Sequence, residues 1–244
     1  MNAKSAPKLL IDAAASLRDE VDKLSFASPV THVYNPLQYA WNAHCDYLNR
    51  VPQKGVRVLM LGMNPGPWGM AQTGVPFGEV AAVRDWMGIH ADVQRPDQEN
   101  EKRPIEGFEC ARSEVSGRRL WGLFAERFCD PSAFFAEHFV SNYCPLVFME
   151  ASGKNRTPDK LPAQEREPLN ALCDQHLAAV IDALKPEHLV AVGTFAESCL
   201  KRVTSQTDCD AQLSRVLHPS PASPAANKDW AGKATEQLKA AGVW

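Results

Sequence analysis

The sequence predicts a single α/β domain over residues 1–244, with a central, mainly parallel four-stranded sheet flanked by helices. Three observations carry this. Four short apolar, β-branched-rich runs (Val56–Gly62, Phe139–Leu146, His188–Gly193 and Leu213–His218) read as buried strands. Helix-length segments separate them, which implies right-handed crossovers and a parallel sheet covered on both faces. The chain has 244 residues, 45% of them hydrophobic, which is material for one large core.

Leu9, Leu10, Ala13, Leu17, Val21 and Leu24 recur at helical spacing, and the spacing predicts a helix over 9–24 within an N-terminal helical extension of residues 1–30. Asn35-Pro36 reads as a cap and first turn, and Leu37, Ala40, Trp41, His44 and Leu48 then mark one face of a second helix, with His44 as a structural residue. Residues 90–112 are polar and proline-interrupted, as a long surface loop would be. Between the second and third strands, Leu169, Leu172, Cys173, Leu177, Val180, Ile181 and Leu184 form a stripe that packs a helix on the sheet. Thr194 and Glu197 have the spacing of a capping box, and Asn227 is placed to cap the last helix.

Composition excludes several classes. The 18 prolines and 14 glycines are too scattered for a collagenous or wholly disordered chain. The longest uncharged run, between Arg57 and Glu79, holds Pro65, Pro67, Pro76 and five glycines, so no membrane span is expected. Asp12, Arg18, Asp19 and Glu20 interrupt the N-terminus early, which argues against a secretory leader and for a cytoplasmic protein. Seven cysteines show no CxxC spacing, and no metal or organic cofactor is expected. A net charge of −3 means that any nucleic-acid partner must be held by a local basic patch.

In a parallel sheet, sites form beyond the strand C-termini. The first strand runs into Gly62-Met63-Asn64-Pro65-Gly66-Pro67-Trp68-Gly69-Met70, and onward to Gly78-Glu79-Val80. Glycines allow close backbone approach and prolines stiffen the chain, so this loop is pre-shaped for a ligand. It matches neither the dinucleotide nor the P-loop pattern. The fourth strand ends in His218-Pro219-Ser220-Pro221-Ala222, facing that loop across the same sheet edge.

Together with SEVSGRRLWGLF, SNYCPL and ANKDW, these motifs resemble the single-strand-selective monofunctional uracil-DNA glycosylase family, over roughly residues 30–244. The resemblance implies the uracil-DNA glycosylase fold and excision of uracil, with 5-hydroxymethyluracil or related damaged bases, during base excision repair. It implies that Asn64 positions the attacking water and that His218 stabilises the departing uracil anion. Phe77 stacks on the flipped base, Asn142 hydrogen-bonds its Watson–Crick edge, and Met63 and Gly66 shape the pocket. An amide suits uracil because it can donate to O4 and accept from N3–H, whereas cytosine presents an amino group where uracil presents O4. A neutral amide is no strong base, so the glycosidic bond must break largely before water attacks. No lysine lies in these motifs to form a Schiff base, so the strand should be left uncut at an abasic site.

The expected partner is single-stranded and also double-stranded DNA, bound by a monomer in the cytoplasm, on the nucleoid in a bacterium or within the nucleus in a eukaryote. Base flipping costs less in a single strand. Pro219, Ser220, Pro221 and Ala222 form the expected wedge; family members carry arginine where this chain has Ala222, which predicts weaker duplex than single-strand activity. Candidate phosphate contacts are Ser116, Gly117, Arg118 and Arg119, with Lys154, Arg156 and Lys228 on loops. Two other readings remain: a nucleoside hydrolase, for which no carboxylate-rich metal site is apparent, and a damaged-base-binding module without catalysis, in which Asn64 and His218 would be dispensable.

Overall fold

The computed structural model describes residues 4–244. The N-terminal helix α1 (Ala6–Val21) has Pro7 in its first turn and buries Ala6, Leu10, Ala14, Leu17 and Val21 at three- and four-residue intervals. It stops at Asp22, so Leu24 falls outside the helix and packs on the core from the following turn. A short strand β1 (His32–Tyr34) precedes α2 (Pro36–Tyr39), where Asn35 caps by accepting from the Leu37 amide. The expected continuous second helix is broken: Ala40, at φ −113°, separates α2 from α3 (Trp41–Leu48).

The central strand β2 (Val58–Gly62) follows, buried along its whole length, then the one-turn α4 (Met70–Thr73) inside the motif loop. A wide helical turn at Ala82–Trp86 leads through a long connection to α5 (Val115–Phe128) and α6 (Pro131–Phe135). The connection is more than surface: Asn100, Ile105, Gly107 and Cys110 are buried in it. Tyr34 is the reason, since its hydroxyl donates to the Arg103 carbonyl and accepts from the Asn100 amide.

The rest of the chain comprises β3 (His138–Asn142), β4 (Val147–Met149), β5 (Asn155–Arg156), α7 (Ala163–Leu184), β6 (His188–Val192), α8 (Thr194–Thr204), β7 (Gln212–Val216) and α9 (Pro224–Ala240). The main sheet has the order β3-β2-β6-β7 and is parallel throughout. The run Phe139–Leu146 is two structures, because after Asn142 the amides of Tyr143 and Cys144 donate to the Gly62 and Met63 carbonyls and turn the chain away. It re-emerges as β4 in a second, antiparallel sheet of order β1-β4-β5, which the sequence pattern did not announce. On β7 only Val216 is buried, since this strand lies at the sheet edge, and Leu217 and His218 lie past its end.

Two caps differ from expectation. At α8 the N-cap is Gly193, and Glu197 reaches Lys201 and Arg215 instead of its own helix start. At α9 the cap is Ser223, whose hydroxyl accepts from the Ala226 amide, and Asn227 lies within the helix. The core joins the apolar faces of α1 and α7 to an aromatic cluster of Tyr47, Trp121, Phe124 and Phe134. No helix among the described residues is long and apolar enough to cross a membrane, and no group of three or more His, Cys, Asp or Glu there is arranged to hold a metal ion.

Candidate active site

Sheet register builds the site. Gly62 pairs with Asn142 at the ends of β2 and β3, and Val192 pairs with Val216 at the ends of β6 and β7, so Asn64, Asn142 and His218 all rise from one sheet edge. A Cβ on Gly62 would lie 2.4 Å from Phe77 Cε2 and 2.5 Å from Asn142 Oδ1. The missing side chain at Gly62 is therefore what lets the Phe77 ring and the Asn142 amide meet over the strand end.

Asn142 is buried, and its Nδ2 touches only the Met70 thioether, at 3.3 Å. Sulfur is a weak acceptor, so the amide keeps its hydrogen-bonding capacity for a ligand. Phe77 holds a positive φ of 54°, uncommon for a bulky residue, which aims its ring into the site. Two fixed contacts sustain it: the Trp121 indole donates to the Pro76 carbonyl at 3.1 Å, and the buried Gly117 packs on the Phe77 carbonyl.

The Phe77 and His218 rings lie 6.1 Å apart. The Ser220 amide donates to His218 Nδ1 at 3.1 Å, so a neutral imidazole carries its proton on Nε2. Burial lowers the His218 pKa, which keeps the ring neutral at pH 7 and able to donate from Nε2. Asn64 is held by its amide nitrogen, which donates to the Leu146 and Pro65 carbonyls at 3.2 and 3.3 Å. Its Oδ1 is left to accept from a water. Met63 is half-buried, with its carbonyl held by the Cys144 amide.

The loop carrying these groups is stiffened from below. Gln72 is fully buried and uses its whole amide: Nε2 donates to the Pro67 and Pro104 carbonyls, and Oε1 accepts from the Glu106 and Gly107 amides. The buried His44 bonds through Nδ1 to the Gly74 carbonyl, in the structural role expected of it. The carboxylate of Glu114 takes the space that side chains on Gly66 and Gly69 would fill, with Oε2 at 2.6 and 2.0 Å from the two Cβ positions. Gly66, expected to shape the pocket by its small size, also makes room for Glu114. Glu114 Oε2 is buried without a hydrogen-bond partner, and burial, reinforced by the nearby charge of Glu79, pushes its pKa up to about 7.

The expected DNA contacts divide. Pro221, Ala222, Arg118 and Lys228 are exposed, Ser116 and Ser220 are half-buried, and Pro219 is buried. Arg119 is committed elsewhere: its guanidinium donates to the Pro219 carbonyl and to Asn227 Oδ1, bracing the loop after His218. Lys154 and Arg156 both pair with Glu150, and Arg156, at 2.8 Å, is largely neutralised. Sequence reasoning missed Gly62, Gln72 and Glu114. All three lie in or beside the sequence motifs, yet nothing in their spacing states which side chains they meet.

A cavity of about 1030 Å³ lies elsewhere, opening at the opposite end of the sheet beside His188 and Gln212 at the starts of β6 and β7. It shares no residue with the constellation above, whose chemistry carries the assignment.

The family model described as the uracil DNA glycosylase superfamily matches residues 48–239. A single-strand selective monofunctional uracil-DNA glycosylase of Rattus norvegicus is 46% identical over 241 residues, covering 99% of this chain and 87% of the relative. A Bos taurus protein of the same description is 48% identical over 227 residues, covering 93% and 84%. The solved structure of wild-type Pedobacter heparinus SMUG2 superposes with a TM-score of 0.69 at 17% identity, over 96% of this chain and 98% of that one, which shows a shared fold. The match across most of the chain, joined to near-half identity over almost its whole length, establishes that this chain belongs to the uracil-DNA glycosylase superfamily, and within it to the single-strand-selective monofunctional uracil-DNA glycosylases.

Proposed function

We propose that the chain hydrolyses the N-glycosidic bond of uracil in DNA during base excision repair, leaving an abasic site in an uncut strand. The observation that carries the mechanism is the neutral, half-buried His218, whose Nδ1 is occupied by the Ser220 amide. In a dissociative reaction the C1′–N1 bond breaks with its electron pair on the uracil ring, and the Nε2–H of His218 stabilises that anion. Water oriented by Asn64 Oδ1 then adds to the oxocarbenium-like C1′, and its proton leaves to the released base or solvent. Asn142 reads the pyrimidine edge from its buried amide, and Phe77 supplies the stacking face.

The preferred substrate is a single strand, where the flipped nucleotide has less stacking to lose, and the exposed Ala222 offers no long cationic side chain to fill the gap left in a duplex. Oxidised uracils such as 5-hydroxymethyluracil belong to the same proposal, as does a monomeric enzyme. The test is release of free base from a labelled uracil-containing single-stranded oligonucleotide. Folded Asn64→Ala and His218→Ala variants should each lose about a hundredfold or more in rate. Binding without release by the native protein would favour a recognition module. A covalent adduct trapped by borohydride would refute the water route.

A further inference from the structure

Four residues past Asn64 in the same loop, Trp68 stands half-buried, and two guanidiniums lie over its indole: Arg103 Cζ at 5.1 Å from a ring centroid and Arg112 Cζ at 4.8 Å. Lys102 is exposed beside them, and the Lys102 and Arg103 side chains flank the turn at Gly153, after β4. The cluster is built in advance of any ligand. The Arg103 carbonyl is held by Tyr34, its amide bonds to the Asn100 carbonyl, and its Nε is buried without a partner. Among the described residues, none of these three cations has a carboxylate within 4 Å, whereas Lys154 and Arg156 on the neighbouring turn share Glu150.

We infer that Lys102, Arg103 and Arg112, with Trp68 as the residue that positions the two guanidiniums, form a phosphate-binding rim for the single DNA strand that carries the target nucleotide. Charge argues for this occupant: in a chain of net charge −3, two guanidiniums gathered on one indole, with Lys102 next to them in sequence, make a local basic patch, and a polyanion is what it fits. Position argues the same way. Four residues span at most about 14 Å of chain, so the rim meets the strand within a few nucleotides of the one held at Asn64. His218 follows the edge strand β7, while the rim packs on the turn after β4, which continues from the opposite edge strand β3, so the two supports straddle the catalytic loop. A guanidinium held over an indole face can still offer N–H groups to phosphate oxygens, and on Arg103 these are the ones left after Nη1 donates to the Lys102 carbonyl at 2.8 Å. The rim therefore takes over the role expected of Lys154 and Arg156.

The inference rests on the glycosylase reading for its substrate, but its test does not. Binding of a fluorescent oligothymidylate, which contains no uracil, is followed by anisotropy across a salt series. A Lys102→Gln/Arg112→Gln double variant changes two exposed side chains and should fold normally. It should weaken binding about fivefold or more and take about 1.4 off the slope of log K against log salt, about 0.7 for each phosphate no longer neutralised. Trp68→Leu should weaken binding about threefold, and Trp68→Phe, which keeps an aromatic face, should restore most of it. A salt slope in the double variant equal to that of the native protein would overturn the inference. Rim-dependent binding without uracil release would sustain it while sinking the glycosylase reading. Uracil release with an unchanged slope in the double variant would do the reverse.

Discussion

Replacing Glu114 with glutamine should stabilise the protein at alkaline pH and do little at acid pH. The carboxylate packs under Gly66 and Gly69 with Oε2 buried and unpartnered, and its pKa is pushed from 4.5 up to about 7. Because the folded-state value is raised, the folded protein holds its proton where the unfolded chain releases it. The contribution of Glu114 to stability is therefore full below about pH 4.5 and is lost as pH rises through about 7. At about 1.36 kcal/mol per tenfold, that gap corresponds to about 3 kcal/mol. Glu114 is partly exposed, and water screens some of the cost, so about 2 kcal/mol is the expected gain for Glu114→Gln at pH 8. At pH 5 the native carboxyl is mostly protonated, and the difference between the two proteins should fall below about 1 kcal/mol. Urea unfolding of both proteins at pH 5 and pH 8 makes the measurement. Equal stabilities at pH 8, or the same gain at both pH values, would refute the claim that an ionising carboxylate is held under the loop.

Gly62→Ala places a methyl group 2.4 Å from the Phe77 ring and 2.5 Å from the Asn142 amide, and a displacement near 1 Å should cost about a hundredfold in uracil release; near-native kinetics would show that these groups do not act together. Gln72→Leu strands two carbonyls and two amides that the native side chain satisfies, and should lower stability by about 3 kcal/mol or more, read from the urea midpoint. Burial lowers His44, His138 and His176 from 6.5 to about 4. The unfolded chain takes up these protons first, so stability is full above pH 6.5 and should fall by several kcal/mol as pH drops toward 4. Urea midpoints that stay level from pH 6.5 to 5 would contradict it.

The sequence by itself determined the class of the fold and the location of the chemistry. Burial on both faces of a parallel strand requires a continuous apolar run, and the runs of β2 and β6 are visible as such. A strand end rich in glycine and proline, and a histidine at the end of another, are local patterns too, so the motif loop and His218 were legible as a site, while the roles of Asn64, Phe77 and Asn142 came only from the resemblance of the motifs to a known family. The limits of the elements were less legible. Periodicity does not show that β3 stops at Asn142, because the chain beyond it is held by amides that donate to carbonyls at and just past the end of β2. A spacing of Thr194 and Glu197 looks like a cap until Lys201 and Arg215 offer Glu197 better partners.

Only the tertiary structure decided which side chains serve the site and which serve the scaffold. Arg119 and Arg118 are neighbours in sequence, yet one braces Pro219 and the other is exposed. Glu114 meets Gly66 and Gly69 across 45 residues of chain or more, and Arg103 and Arg112 converge on Trp68 through a segment whose sequence reads as surface loop. The physical reason is range. Propensity and periodicity act over one or two turns of chain. The pairing of a charge, the burial of a carboxylate and the room for a ring depend on sheet register and on segments far apart in sequence, which meet only once the core has closed.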